Sequence, residues 1–472
     1  MIIFTQMHHY SLKNDTIIAI ATPHGTGAIA MVRVSGQDAF YFTSQLFYRK
    51  GKRPVDVSVF YPNTIHFGEI RDADYLLDEV MVAVFKEPRS YTGEDMVEIT
   101  CHGSQFIQQQ ILLLFVKLGA RLAEPGEFTF RGFMNGKYDL SQAEAVSDLI
   151  SSNSSTSHHV ALTQVRGGFS DKIRILRENL VNFASLVELE LDFSEEDVEF
   201  ANRDDLKNLV ESLIRIIQKL VDSFEIGNVI KNGIPVAIVG KPNAGKSTLL
   251  NALLEEEKAI VSEIPGTTRD AIEDEIIIDG VLFRFIDTAG IRHTVDVIEN
   301  LGVAKTFEKI QQSTIVIYLF DVHEITSSEL ILILEEIGRY NKSAHLVLVG
   351  NKMDKEDEEY IRKEFEKFMN MIFISAKEKT GLDHLKQHLV NVFDTKALTV
   401  TETVVTNVRH VQALKNSGAA LMKVNEGLSK NLSGELLAAD IRIALHHLGL
   451  ITGEVTTEDL LETIFGKFCI GK

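Results

Sequence analysis

Apolar and polar residues alternate in the first part of the chain and then change rhythm. Thr16–Ala21, Ile29–Val34, Thr64–Ile70, Val80–Phe85 and Met96–Thr100 are rich in β-branched residues and alternate in twos, so they are predicted strands. Ile107–Leu118 reads as a buried helix, and glycines and Pro125 mark turns. From about Asn135 the texture is helical. Leu206, Leu209, Leu213, Ile217, Leu220 and Phe224 recur at three- and four-residue steps, a stripe suited to helix packing. This texture stops near Lys231–Gly233 and resumes near Thr401. Between these points lie predicted strands at Ile234–Val239, Glu275–Ile278, Leu282–Ile286, Ile315–Phe320, His345–Val349 and Ile372–Ile374, several separated by helical patterns. Strands and helices in that alternation imply a doubly wound, mostly parallel sheet.

The expected fold class is therefore α/β plus α. An N-terminal α/β domain covers 1–134, a helical domain covers 135–232 and 393–472, and a second α/β domain, over 233–392, is inserted into the helical one. Insertion is easy because the ends of a domain usually lie close together. The chain has 472 residues, too many for one ordinary core. Hydrophobic content of 45% and charged content of 24% are those of a globular protein in water. No apolar run is long enough to cross a bilayer, and residues 1–11 lack the basic start and small-residue cleavage site of a signal peptide. Two cysteines, Cys101 and Cys469, cannot build a disulfide framework, so a cytoplasmic location is expected. A net charge of −19 argues against non-specific nucleic-acid binding over the whole surface, though not against a local basic patch. Glu188–Glu199 holds seven carboxylates and no Lys or Arg, which reads as a solvated helix end.

Candidate chemistry is concentrated in the inserted block. Gly240–Ser247 fits G-x-x-x-x-G-K-[ST] between a predicted strand and a helix starting near Thr248. The glycines, with Asn243, Ala244 and Gly245, let the backbone wrap a phosphate; Lys246 brings a cation, and Ser247 a hydroxyl for Mg²⁺. Asp287, Thr288, Ala289 and Gly290 follow the next motif-bearing strand, where an Asp can hold Mg²⁺ through water and a glycine admits the γ-phosphate. Asn351, Lys352 and Asp354 follow another; Asp354 can accept from guanine N1–H and N2–H, which adenine cannot offer. Ser375, Ala376 and Lys377 follow the last, with a backbone N–H for guanine O6. Four such motifs in order, each at a strand end, specify a GTPase.

In the loop Gly266–Asp270, the Thr268 hydroxyl can join the Mg²⁺ shell while the γ-phosphate is present. Ile291 stands where a Ras-type site has the Gln that orients water, so hydrolysis needs another group, and Glu299 is a candidate. Asn243 lies inside the phosphate loop, where a monovalent cation held by its side-chain oxygen could replace an arginine finger.

Four segments carry a resemblance to a known family: Gly240–Ser247 with Asn243, Gly266–Asp270, Phe133–Ile150 and Phe468–Lys472. Together they closely resemble the MnmE (TrmE) tRNA-modification GTPases over nearly the whole chain. The resemblance implies a homodimer through an N-terminal domain that is similar to folate-binding modules and holds a tetrahydrofolate derivative (5-formyl- or methylene-) as one-carbon donor. It implies an FAD-dependent partner, MnmG, in a heterotetramer that installs an aminomethyl-type group on C5 of the wobble uridine (position 34) of certain tRNAs. It also implies GTP hydrolysis that depends on K⁺. By the same resemblance, Asn243, Ser262, Ile264 and Thr267 match the K⁺ site, and Ser247 and Thr268 the Mg²⁺ site. Glu263 and Pro265 lie in the same nucleotide-binding loop, Thr248 follows the phosphate loop, and Glu299 matches the catalytic glutamate.

Arg33, Glu98, Lys137 and Lys472 match the family's folate contacts. Glu98 lies between Val97 and Ile99 and so points away from the apolar face, where a carboxylate can take the paired N–H donors of a pterin. Cys469 is expected to begin a mobile tail after a helix that Thr457 could cap. It is either a small buried apolar residue or a thiol with a chemical role, such as attack on C6 of uridine. The competing reading of the whole chain is a regulatory GTPase switch that acts on a ribosome or another partner without RNA chemistry. That reading uses only the inserted block and leaves the specific ends of the chain unexplained.

Overall fold

The computed structural model describes residues 15–49, 53–192, 203–258, 274–286, 310–340, 344–355, 358–368, 370–392 and 403–471. They fall into two compact units. The first takes the described residues of 1–150, 162–218 and 412–472; the second takes those of 151–161 and 219–411.

In the first unit seven strands form one sheet: β1 (Ile17–Ile20), β2 (Ile29–Ser35), β3 (Phe47–Tyr48), β4 (Thr64–Asp72), β5 (Tyr75–Phe85), β6 (Met96–His102) and β7 (Arg121–Leu122). Their order is β3-β4-β5-β6-β2-β1-β7, and every pairing is antiparallel except β1 with β7. The five predicted strands are β1, β2, β4, β5 and β6. β3 and β7 are two residues each, too short to show a period. β5 begins at Tyr75 rather than Val80, because Tyr75–Glu79 continues the hairpin as a partly polar stretch that no apolar alternation marks. Alternation divides the sheet into two faces. Val32, Val34, Val82, Val84, Val97 and Ile99 point into a core closed by Ile111, Leu114 and Phe115 of the helix Gln105–Leu118. Arg33 and Glu98 therefore point to the opposite face.

The helices of this unit pack by ordinary apolar stripes. Helix Ser170–Asp192 lies along helix Gly434–Thr452, where the Arg177 guanidinium donates to the Leu445 carbonyl at 2.6 Å. In helix Arg203–Asp222 the buried positions are Leu206, Val210, Leu213, Ile217 and Leu220. Val210 thus takes the place expected for Leu209, because a step of four from Leu206 keeps the helical face. Phe224 starts a separate helix, Phe224–Asn232, which belongs to the second unit. The last helix, Glu458–Phe465, is capped as expected: Thr457 Oγ1 accepts from the Leu460 N–H at 3.3 Å. Its Ile464 and Phe465 pack with Phe130, Leu140 and Ala143.

The second unit holds a six-stranded sheet of β8 (Ile234–Val239), β9 (Asp274–Ile278), β10 (Val281–Phe285), β11 (Ile315–Asp321), β12 (His345–Asn351) and β13 (Ile372–Phe373). The order is β13-β12-β11-β8-β10-β9, parallel except for the β9–β10 hairpin. Both faces are buried, which is why these strands read as continuous apolar runs. Val236, Ile238, Phe283, Ile317 and Val349 face one core, and Ala237, Val239, Val316, Tyr318 and Phe320 face the other. The carboxyl ends of β8, β11 and β12 lie side by side, and that edge carries the candidate nucleotide site.

Candidate functional site

The phosphate loop leaves β8 and enters helix Lys246–Lys258. Gly240 has φ 154° and Gly245 φ 99°, and Asn243 holds φ 62°, in the left-handed region. Glycine at 240 is forced by contact as well as by angle: a Cβ there would stand 1.9 Å from the Leu319 carbonyl oxygen on β11. At Gly245 a Cβ would stand 2.3 Å from Asn351 Nδ2. The Lys246 ammonium donates to the carbonyls of Gly240 and Lys241, each at 2.8 Å, so it lies over the loop's own backbone. Ser247 sits in the first turn of the helix, Asn243 is exposed, and Ala244 is buried.

Asn351, at the end of β12, ties the site together. Its side chain is buried; Nδ2 donates to the Ala244 carbonyl at 2.8 Å, and Oδ1 accepts from the Ala376 N–H at 3.0 Å. One amide thus joins the phosphate loop to the segment after β13, across 107 residues on one side and 25 on the other. Of the segment Ser375–Lys377, expected to offer a backbone N–H to guanine O6, the Ala376 N–H is engaged here by Asn351. Asp354 lies in the short 3₁₀ turn Met353–Lys355, and its Oδ1 accepts from Ser375 Oγ at 2.6 Å, which fixes the carboxylate's rotamer. Lys377 is an exposed side chain paired with Glu378 at 3.1 Å.

A different constellation stands on the other face of the first unit's sheet. Arg33 on β2 and Glu98 on β6 are directly opposite in the register. Arg33 Nε and Nη2 both donate to Glu98 Oε1, at 3.0 and 2.7 Å. The guanidinium also lies 5.0 Å from the Tyr91 ring centroid and 5.6 Å from that of Phe128. Its Nη1 donates to the Gly471 carbonyl at 3.4 Å. Tyr91 is half of a tilted ring pair with Tyr138, at 5.6 Å, and donates to or accepts from Thr129 Oγ1 at 2.8 Å. Burial is the main reason its phenol is pushed up from its ordinary value. Lys137 Nζ donates to the Pro88 carbonyl at 3.0 Å, on the same loop that carries Tyr91.

The chain's end is pinned to this neighbourhood. Ile470 forms an antiparallel bridge with Pro125, and the Gly126 N–H donates to the Cys469 carbonyl at 3.3 Å. Gly471 has φ 93°, and a Cβ there would stand 2.3 Å from the Ile20 carbonyl oxygen. The mobile tail expected after the last helix is corrected as far as Gly471: backbone bonds and close approach hold it. The buried-cysteine alternative is corrected too, since Cys469 is exposed and it is Cys101 that is buried.

Two family profiles match the chain: the MnmE helical domain over residues 140–469 and the GTP-binding protein TrmE N-terminus over 16–137. A tRNA modification GTPase MnmE from Cytophaga hutchinsonii is 54% identical over 97% of this chain and 98% of its own. Those of Christiangramia forsetii and Bacteroides fragilis are 53% and 50% identical, over 97% and 98% of this chain and 99% and 100% of theirs. The chain belongs to the MnmE/TrmE family of tRNA modification GTPases.

Of the residues that the MnmE/TrmE resemblance singles out, Arg33 and Glu98 meet in one ion pair, and Lys137 sits on the adjoining loop. Ala244, Asn351 and Ala376 share one hydrogen-bonded corner. Ser262, Glu263, Ile264, Pro265, Gly266, Thr267, Thr268, Asp287, Thr288, Ala289, Gly290, Glu299 and Lys472 lie outside the described residues. Tyr91, Phe128 and Tyr138 were not found by sequence reasoning. Their only signal there was aromatic character near predicted turns, which does not say that they converge on Arg33.

Proposed function

We propose that this MnmE/TrmE protein is a K⁺-dependent GTPase that, with an FAD-dependent partner, modifies C5 of the wobble uridine of certain tRNAs. In this reading it uses a tetrahydrofolate one-carbon donor and works in the cytoplasm as a homodimer, within a heterotetramer with MnmG. The observation that carries the GTPase part is the Asn351 side chain, which joins the phosphate loop to the Ala376 amide beside the Asp354 carboxylate. That corner supports recognition of phosphate and guanine by one rigid group.

The donor set also fits the proposed cations. Ser247 offers a hydroxyl at a helix start, and exposed Asn243 offers an amide oxygen on the loop; both are hard oxygen donors. Mg²⁺ and K⁺ bound there would neutralise charge on the phosphates. The chain's own residues wrap the phosphates with loop amides, hold the base through Asp354, and orient water through Glu299. Asn243, Ser262, Ile264 and Thr267 are the proposed K⁺ residues, Ser247 and Thr268 the Mg²⁺ residues.

The Arg33–Glu98 pair supports the folate reading. It gives a pterin a carboxylate for its paired N–H donors and an aromatic wall at Tyr91, with Lys137 and Lys472 for the folate's carboxylates. Cys469 is exposed, which supports a thiol available to chemistry.

The test is GTP turnover by the purified chain in K⁺ and in Na⁺, paired with nucleoside analysis of tRNA from cells lacking the chain. A rate at least about tenfold higher in K⁺ is expected, together with loss of the modified wobble uridine. Equal rates in the two salts, or unaltered tRNA, would remove the corresponding half of the proposal.

A further inference from the structure

Beyond the four GTPase motifs, Asp321 at the end of the neighbouring strand and His323 in the turn after it contact one of them. Asp321 ends β11 opposite Asn351, which ends β12 in the parallel register. Its carboxylate is 4% exposed and Oδ2 lies 2.6 Å from Lys352 Nζ. Oδ1 accepts from the His323 N–H at 3.0 Å. The His323 ring returns to the same lysine, with Nε2 3.2 Å from the Lys352 carbonyl oxygen. Lys352 is thus gripped at its ammonium and at its carbonyl. It needs the grip, because its φ of 71° lies in the left-handed region that a lysine adopts only when its surroundings hold it there. Burial pushes the Asp321 carboxyl up, but Lys352 and the His323 amide outweigh it and leave it below its ordinary value, so it is ionised at neutral pH.

We propose that Asp321 and His323 are positioning residues for the nucleotide: they clasp Lys352 and so set the turn that carries Asn351 and Asp354 to receive a purine base. This rests on the nucleotide-binding reading above. It adds to it that the grip comes from outside the Asn351–Asp354 motif.

The experiment is a titration of the full chain and its variants with N-methylanthraniloyl-GDP and the corresponding IDP, with melting temperatures as a check on folding. A wild-type chain that binds neither nucleotide overturns the nucleotide reading itself, before any variant is compared. Given wild-type binding, Asp321→Asn is expected to weaken both nucleotides about tenfold and alike, because the clasp sets the turn and not the guanine-specific bonds. His323→Ala, at an exposed position, is expected to weaken both about two- to threefold. The double variant Asp321→Asn/Lys352→Ala is expected to bind no worse than Lys352→Ala alone, since the two act as one unit. Unchanged or tighter binding by Asp321→Asn, or losses that add in the double variant, overturns the proposal. If Asp321→Asn does not fold, His323→Ala decides: unchanged affinity overturns it.

Discussion

The nucleotide corner and the Arg33–Glu98 pair both stand on sheets, but they use them in different ways. The corner is built beyond the ends of parallel strands, from backbone that glycine and one buried asparagine hold in place. The pair is built in the middle of antiparallel strands, from side chains that cross-strand register sets opposite each other. A site of the first kind fails when the backbone path is disturbed. A site of the second kind fails when one charge loses its partner, and leaves the backbone as it was. The difference matches the ligand proposed for each: phosphates are met by backbone N–H groups that every residue but proline owns, whereas a pterin edge would need a particular carboxylate.

The strongest way to break this comparison is Asn351→Ala. It leaves the buried Ala244 carbonyl and the Ala376 N–H without their partner, at about 2–4 kcal/mol for the two together. Guanine nucleotide affinity is expected to fall roughly 30- to 1,000-fold, read by titration. A loss below about threefold would mean that the corner does not depend on this one amide.

A smaller effect is expected from Glu98→Gln, which keeps the shape and removes the charge opposite Arg33. Binding of 5-formyltetrahydrofolate to the full chain, measured calorimetrically, is expected to weaken about ten- to thirtyfold. No comparable fall in nucleotide affinity is expected, since the effect stays in one site. Equal losses for both ligands would show that the two regions are not independent.

The mildest test is pH. Glu127 is buried, which raises its carboxyl, but Arg121, the Glu124 amide and Arg131 outweigh this and hold it below its ordinary value of 4.5. Asp15 is likewise lowered from 3.8 against its burial, by Arg121 and Arg131. A carboxyl lowered in the folded state adds stability above its unfolded value and loses it as pH falls through the folded one. Asp321 behaves in the same way in the second unit. Hydrogen exchange of the full chain, corrected for intrinsic rates, is therefore expected to show both regions losing protection below about pH 4.5. Peptides around 121–131, next to two such carboxylates, should lose it more steeply than those around 346–354, next to one. Equal slopes would count against the charge network as the cause.

Much of this was legible in the chain. The strands β8, β11 and β12 were found to within two residues, because strands buried on both faces are nearly continuous apolar runs. Gly240 and Gly245 were legible for a related reason: only glycine tolerates both the backbone angle and the contact there. The grouping of Arg33 with Tyr91, Phe128 and the Gly471 carbonyl was not legible from spacing. It joins residues 438 apart in the chain, through strand order and the fold of the chain's end.

The sequence by itself determined the longer strands and helices, though not the two-residue strands β3 and β7, and which chemistry stands at the strand ends, since periodicity and local motifs are properties of neighbours. Only the tertiary structure decided who meets whom: Asn351 with Ala244 and Ala376, Asp321 with Lys352, Arg33 with Glu98 and the end of the chain. Those meetings depend on strand order and register, which are settled by the burial of whole faces and not by any short stretch of residues.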